Sequence, residues 1–138
     1  MALTQAAVAA IHRLSAAAAP LEGCGYLVAE GGVVVAVHPT PNVHDEPRTR
    51  YAVDPAGFLD LDEALDGTGR AVVGIVHSHP FTHAVPSATD RAHAVPGWWY
   101  LIHGFPPERP GGELRAWRLA DTDPDGPFTE HPLETRTW

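Results

Sequence analysis

One apolar run, AVVGIVHSH over residues 71–79, constrains the fold more than any other segment. Its first residues are apolar or small, which is typical of a buried strand, and its end carries His77 and His79. Side chains alternate across a strand with a period of two, so both imidazoles leave on one face. Pro80 follows directly and opens a loop. The run therefore predicts a buried strand whose end presents two histidines together.

The rest of the chain predicts short elements of both kinds around that strand. Apolar residues recur at helical spacing over 4–18, where Thr4 is the expected N-cap and Pro20 the stop. Two β-branched runs joined at Gly31 and Gly32 predict a hairpin over 24–38. The remaining predictions are a strand over 49–53, a helix from Pro55 with Phe58, Leu59, Leu61 and Leu65 on its apolar face, a short helix over 87–94, strands over 98–104 and 113–121, and an edge strand near Phe128.

These elements predict a fold of the α/β or α+β class, a sheet with two long helices and one short helix. The length of 138 residues favours one domain over 1–138, with a core over about 3–120 and a proline-rich tail over 121–138.

Charge and cysteine content exclude several classes of function. All 9 basic residues are arginines, against 17 acidic residues, for a net charge of −8. A chain without a basic stripe binds the phosphate backbone poorly, so we expect no nucleic-acid partner. We expect no membrane partner either, because no apolar stretch reaches the length of a membrane helix. The single cysteine, Cys24, and the lack of a recognisable secretory signal predict a cytoplasmic protein.

Asp90 turns the two histidines into a candidate metal site. It follows His79 by eleven residues, beyond a loop that can return it to the strand end. Two imidazoles and one carboxylate leave a fourth tetrahedral position for water, which is the pattern of a catalytic zinc site. The alternative is purely structural, because Ser87 and Asp90 also have the spacing of a helix capping box. The spacing alone leaves both interpretations open.

The residues His77-Ser78-His79-Pro80, Ser87 and Asp90 resemble the H-x-H-P-x6-S-x-x-D signature of the JAMM (JAB1/MPN⁺) metallopeptidases. The segment 21–27, LEGCGYL, is similar to the part of that family that carries an early glutamate. The resemblance covers about residues 3–120 and is strongest to the small prokaryotic members that act on sulfur-carrier and ubiquitin-like proteins. It implies a JAB1/MPN-like, cytidine-deaminase-like mixed sheet.

The resemblance also implies a role for each matched residue. His77, His79 and Asp90 would bind one Zn²⁺ per chain. Glu22 would carry a proton from the attacking water to the leaving amine, and Ser87 would donate a hydrogen bond to the oxyanion. Considered without the resemblance, Glu22 is simply a solvated residue at the start of a strand.

The implied function is a zinc-dependent peptidase or isopeptidase. It would cleave at the C-terminal tail of a ubiquitin-like or sulfur-carrier protein, for example to release cysteine from a carrier adduct. Cys24 and His83 are candidates for substrate contact; the alternatives are a small buried residue for Cys24 and a solvated loop residue for His83. The alternative function is a non-catalytic scaffold or tail-binding module of the same fold. Exposed apolar edge strands make a homodimer possible.

Overall fold

The computed structural model of the chain describes residues 1–119 and 126–137. Three helices and eight strands are present in these residues. In chain order they are β1 (Ala2–Thr4), α1 (Gln5–Ala18), β2 (Cys24–Glu30), β3 (Val33–Thr40), α2 (Pro55–Leu65), β4 (Arg70–His79), α3 (Ala88–Ala92), β5 (Trp99–Gly104), β6 (Glu113–Arg118), β7 (Thr129–His131) and β8 (Glu134–Arg136).

The strands form one mixed sheet in the order β7-β6-β5-β4-β2-β3-β1-β8. The predicted histidine-bearing strand is β4, which runs antiparallel to β2 on one side and parallel to β5 on the other. A parallel pair needs a crossover connection, and here the crossover contains α3. Because side chains alternate, Val76 packs in the core beneath α1 while Ile75 packs on the opposite face.

Helix α1 covers the first face of the sheet, as its apolar spacing predicts. The Thr4 hydroxyl accepts a hydrogen bond from the Ala7 N–H at 3.1 Å, which caps the start of the helix. Ala7, Ile11 and Leu14 are buried and pack against β2, β4 and β5. This face therefore holds the main apolar core.

Helix α2 covers the second face less deeply than its sequence predicts. Its N-cap is Asp54 with proline at the first turn, as expected, and Phe58 and Leu61 pack around Tyr26. No residue of α2 is fully buried, and Leu59 is 63% exposed. The assignment of Leu59 to the apolar face is therefore wrong, because only the positions nearest Tyr26 reach the sheet.

The strand predicted over 49–53 is absent, and this prediction is wrong. The segment belongs to a loop over 41–54 that joins β3 to α2. Its backbone groups are satisfied without a ladder: the Val43 N–H donates to the Ala52 carbonyl, and the Ala52 N–H donates to the Asn42 side chain. An asparagine side chain can thus replace a neighbouring strand as the partner of the backbone.

The segment after residue 125 adds a strand at each edge of the sheet. β7 corresponds to the edge strand predicted near Phe128 and pairs with β6. β8 was not predicted; it pairs with β1, another strand that the sequence did not reveal. The predicted end of the strand over 113–121 lies partly outside the described residues. Within residues 1–119 and 126–137, no helix is long and apolar enough to cross a membrane.

Candidate metal centre

Four potential ligands converge at the end of β4, on the face covered by α2 and α3. One ligand atom from each of Glu22, His77, His79 and Asp90 lies within 4.8 Å of all the others. The Nε2 atoms of His77 and His79 are each 3.2 Å from Asp90 Oδ2 and 3.1 Å from one another. The structure therefore brings together the three ligands expected from the sequence and adds Glu22 beside them.

The chemistry of this cluster suits a divalent cation. His79 donates from Nδ1 to the His83 carbonyl at 2.9 Å, so in the neutral ring the Nε2 lone pair faces the cluster. The two Nε2 atoms are 3.1 Å apart and Asp90 Oδ2 is 3.2 Å from each, so three potential ligand atoms meet at one point. Glu22 Oε1 is buried and has no hydrogen-bond partner among the described residues. Imidazole nitrogen and carboxylate oxygen are the ligand atoms of Zn²⁺ sites in proteins.

The surroundings shift the pKa values of these groups in opposite directions. Burial raises the pKa of Glu22 to about 7, an effect that His79 opposes and Asp90 reinforces. Burial also lowers the pKa of His77, which outweighs the attraction of Asp90. For Asp90, burial is outweighed by hydrogen bonds with both histidines, and its pKa lies well below the ordinary value. Near neutral pH the cluster thus contains one firmly ionised carboxylate and one that exchanges protons easily.

Helix α3 places Asp90 at the cluster by means of its own N-cap. Ser87 Oγ accepts from the Asp90 N–H at 3.0 Å, and Asp90 Oδ2 accepts from the Ser87 N–H at 2.9 Å. This reciprocal pair is a capping box. The two interpretations left open by the sequence are therefore compatible, because Oδ2 caps the helix and faces both histidines. The Ser87 oxygen acts as an acceptor in the cap, and its own O–H remains a potential donor.

Glu22 is positioned by the backbone that surrounds it. Its N–H donates to the Pro47 carbonyl at 2.7 Å. The next peptide is paired with β4: the Gly23 N–H donates to Ser78 Oγ at 2.8 Å, and the Ser78 N–H donates to the Gly23 carbonyl at 2.9 Å. Glycine is required at position 23 because a Cβ there would lie 2.8 Å from Ala18 Cβ. Close packing against α1 thus sets the path of the segment that carries Glu22.

The two candidate substrate contacts have clear structural partners. Cys24 is 2% exposed, pairs with His77 in the β2–β4 ladder and donates to the Thr40 carbonyl at 3.5 Å. Burial, reinforced by Glu22, raises the pKa of its thiol to about 11. The His83 ring is exposed, with Nε2 2.8 Å from Glu108 Oε1, and only its carbonyl supports His79. Contact of either side chain with substrate stays a prediction.

Two residues of the 41–54 loop belong to the site and were not found from the sequence. Tyr51 stacks on His77, with ring centroids 4.3 Å apart and an interplanar angle of 24°. Burial raises the pKa of Tyr51 well above its ordinary value. Asn42 donates to the Glu22 carbonyl at 2.9 Å. Neither residue has a spacing signal, because a loop brings them to the site; the one cue is that Asn42 lies in a Pro-x-Pro-Asn sequence, which favours a turn.

The fold is a mixed sheet, and a buried cluster of two histidines and two carboxylates lies at the end of a central strand. This combination is typical of α/β domains that bind a metal. Residues 4–120 match the family described as prokaryotic homologs of the JAB domain. The chain belongs to this family, as the sequence motif indicates.

Solved structures agree on the fold. The chain superposes on a protein from Desulfitobacterium hafniense with a TM-score of 0.78 at 24% identity, covering 100% of this chain and 94% of the other. A JAB1/MPN domain protein from Archaeoglobus fulgidus gives a TM-score of 0.64 at 18% identity, covering 99% and 97%. The predicted JAB1/MPN-like fold is thereby confirmed.

Three curated relatives have names that describe peptidases. A desampylase of Haloferax volcanii is 45% identical over 60% of this chain and 62% of its own length. A probable TtuB-protein conjugate cleaving protease of Thermus thermophilus is 42% identical over 62% of this chain and 57% of its length. A CysO-cysteine peptidase of Mycobacterium tuberculosis is 34% identical over 83% of this chain and 76% of its length. The chain thus covers less than two thirds of the first two.

Proposed function

We propose that the protein is a zinc-dependent peptidase or isopeptidase that hydrolyses a bond at the C-terminal tail of a ubiquitin-like or sulfur-carrier protein. The observation that carries this proposal is the convergence of His77, His79 and Asp90 with Glu22, a buried residue whose Oε1 has no hydrogen-bond partner among the described residues. The names of the three relatives, two of which refer to conjugates or carrier-linked cysteine, support the substrate class.

His77, His79 and Asp90 would hold one Zn²⁺ per chain. When bound, such an ion lowers the pKa of water and polarises the carbonyl to be attacked. Asp90 contributes the negative charge of the ligand set, and the His83 carbonyl holds the His79 ring in orientation. A site built from two imidazoles and one carboxylate leaves room for water and substrate, in contrast to a closed structural site.

Glu22 is the group that moves the proton. Burial raises its pKa, which favours acceptance of a proton from the attacking water and its donation to the leaving nitrogen. The water oxygen bonds to the carbonyl carbon, the carbon–nitrogen bond then breaks, and the proton leaves with the amine. No covalent bond to the enzyme is formed. The hydrogen bonds of the Glu22 backbone N–H and carbonyl to Pro47 and Asn42 hold the segment that carries the carboxylate.

Ser87 would stabilise the oxyanion of the tetrahedral intermediate. Its oxygen already accepts from the Asp90 N–H, which fixes the position of the hydroxyl at the start of α3. The remaining O–H is then directed by the cap and available to the substrate. A single donor of this kind contributes about 10²–10³ in rate in other hydrolases.

The surface around the cluster suits a protein tail as substrate. Exposed apolar side chains flank the site on the loop after β4, where Phe81 is 64% and Val85 43% exposed. On the side of Glu22, Leu21 is 38% and Val43 54% exposed. Exposed apolar side chains in the segments next to the ligands favour contact with an extended peptide. The preferred substrate is a carrier whose C-terminal glycine is joined to cysteine.

The free, buried thiol of Cys24 suits a cytoplasmic location.

The proposal is tested with purified protein, its chelated form and the Glu22→Gln variant. Bound metal is counted by elemental analysis, and cleavage is followed by mass spectrometry on two substrates, a carrier–cysteine adduct and the same carrier linked to a lysine side chain. We expect one zinc per chain, cleavage of the cysteine adduct, and loss of cleavage after chelation or in Glu22→Gln. Cleavage at the wild-type rate by both altered forms would refute the mechanism. Tight carrier binding without turnover would instead support the tail-binding module.

A further inference from the structure

The Asn42 side chain joins the segment of Glu22 to the loop that covers the metal cluster. Its Nδ2 donates to the Glu22 carbonyl and to the Arg50 carbonyl, each at 2.9 Å. Its Oδ1 accepts from the backbone N–H groups of His44 and Ala52, each at 3.1 Å. The Nδ2 atom also lies 3.5 Å from the Pro47 carbonyl, a longer contact. Through its four shorter hydrogen bonds, one side chain holds three points of the loop and one point of the Glu22 segment.

These contacts use the full hydrogen-bonding capacity of an asparagine. A carboxamide has two N–H donors and two acceptor lone pairs, and all four are engaged in the contacts of Asn42. The partners also fix the orientation of the amide, because two carbonyls require the nitrogen and two N–H groups require the oxygen. Aspartate has the same shape but no donor, and serine is too short to span the four partners. The position is therefore specific for asparagine.

The loop holds the Glu22 backbone on both sides of its Cα atom. The Glu22 N–H donates to the Pro47 carbonyl at 2.7 Å, and its carbonyl accepts from Asn42. The same loop lays Tyr51 on the His77 ring at a centroid distance of 4.3 Å. The Glu22 segment and Tyr51, which both border the cluster, therefore share one support. Displacement of the Asn42 amide would release both.

We propose that Asn42 is a positioning residue that sets the Glu22 carboxylate opposite the metal ligands and holds Tyr51 over His77. This inference rests on the proposed function, in which Glu22 moves the proton. Among the described residues, the hydrogen bonds of Asn42 all go to backbone groups, so it acts on Glu22 through the backbone. Catalysis is sensitive to such placement, since a displacement of about 1 Å costs on the order of 10²-fold in rate.

The test compares Asn42→Asp with the wild-type chain, and with Asp45→Asn as a control on an exposed residue of the same loop. Asn42→Asp removes the two donors and keeps the shape of the side chain. We expect kcat to fall by about 30-fold, KM to change less than about threefold and zinc to stay at one per chain. Asp45→Asn should behave as wild type. Because aspartate also adds a charge next to Glu22, the neutral Asn42→Ser variant carries the same expectation.

A second measurement separates positioning from general weakening of the fold. In the Glu22→Gln background, Asn42→Asp should reduce the residual single-turnover rate less than about twofold, because residues that act as one unit are not additive. An equal fold-loss in both backgrounds would overturn the proposal. So would a wild-type kcat, or the loss of zinc and of cooperative unfolding in both Asn42 variants. If the wild-type chain itself fails to cleave carrier adducts, the proposed function fails and this inference fails with it. If the wild-type chain cleaves and the Asn42 variants keep its kcat, this inference fails alone.

Discussion

Buried histidines lie on both faces of the sheet at the same end, two on one face and one on the other, and they differ in what they face. His77 and His79 are 1% and 6% exposed and face the carboxylates of Asp90 and Glu22. On the other face, His103 of β5 is 1% exposed, and its Nδ1 is 2.7 Å from Ser15 Oγ of α1. His103 lies next to the other two histidines in the sheet, because it pairs with Ser78, the residue between His77 and His79.

The comparison shows that burial of histidine does not by itself make a metal site. Burial, reinforced by the neighbouring His12, lowers the pKa of His103 to about 4, so this ring is neutral and its Nδ1 is paired with a hydroxyl. His77 and His79 instead face a carboxylate that serves both rings at 3.2 Å. The two faces therefore differ in the group that each histidine meets, a carboxylate on one face and a hydroxyl on the other. The faces differ because α3 returns a carboxylate to the strand end, whereas α1 brings a serine.

The largest expected difference between the faces is in metal binding. Asp90→Asn removes the charge of the ligand set but keeps an oxygen for the cap of α3, so the helix should persist while zinc is lost. We expect bound zinc to fall from one per chain to near zero and cleavage to fall to background. His103→Gln, the matched change on the reverse face, should keep both. Elemental analysis and the adduct assay check this; full zinc occupancy in Asp90→Asn would contradict it.

Ser87→Gly separates the capping role of this residue from its catalytic one. Glycine is a tolerated N-cap that costs only a few tenths of a kcal/mol relative to serine, but it has no hydroxyl to donate. We expect kcat to fall by about 10²–10³ with almost unchanged unfolding free energy. Urea unfolding and kinetics are measured on the same preparation. A wild-type kcat would leave Ser87 with a structural role alone.

We expect His103, on the reverse face, to make the free energy of unfolding depend on pH. The pKa of His103 is lowered from an unfolded value of 6.5 to about 4, so below pH 6.5 the unfolded chain binds the extra proton. Its contribution is complete above pH 6.5 and is lost as pH falls towards 4. Between pH 7 and 4.5 we expect a loss of about 2 kcal/mol that His103→Gln does not show. Equal urea-unfolding profiles for both proteins would contradict this.

The smallest effect is expected at Cys24, which lies on the metal face without belonging to the cluster. With a pKa of about 11 its thiol is protonated at neutral pH and is no nucleophile. Cys24→Ala should leave zinc content and kcat unchanged and lower the unfolding free energy by about 1 kcal/mol. A large loss of kcat with full zinc occupancy would instead give Cys24 the substrate contact that the sequence suggested.

Much of the fold and the core of the site could be predicted because they depend on local signals. The alternation that puts His77 and His79 on one face is a property of any strand, and the cap of α3 is written in the spacing of Ser87 and Asp90. Strand β8 and the loop conformation of residues 49–53 could not be predicted. Their backbone groups are satisfied by distant partners, β1 for the strand and the Asn42 side chain for the loop.

The sequence by itself determined which side chains are available for chemistry and the spacing that lets two histidines share a face. Only the tertiary structure decided that Glu22 is buried, with no hydrogen-bond partner for its Oε1 among the described residues. The same holds for the stacking of Tyr51 on His77 and for the exclusion of His103 from the cluster. The physical reason is the distance along the chain over which each interaction acts. Periodicity and capping act over a few residues, whereas desolvation and the meeting of lone pairs depend on which distant segments pack together.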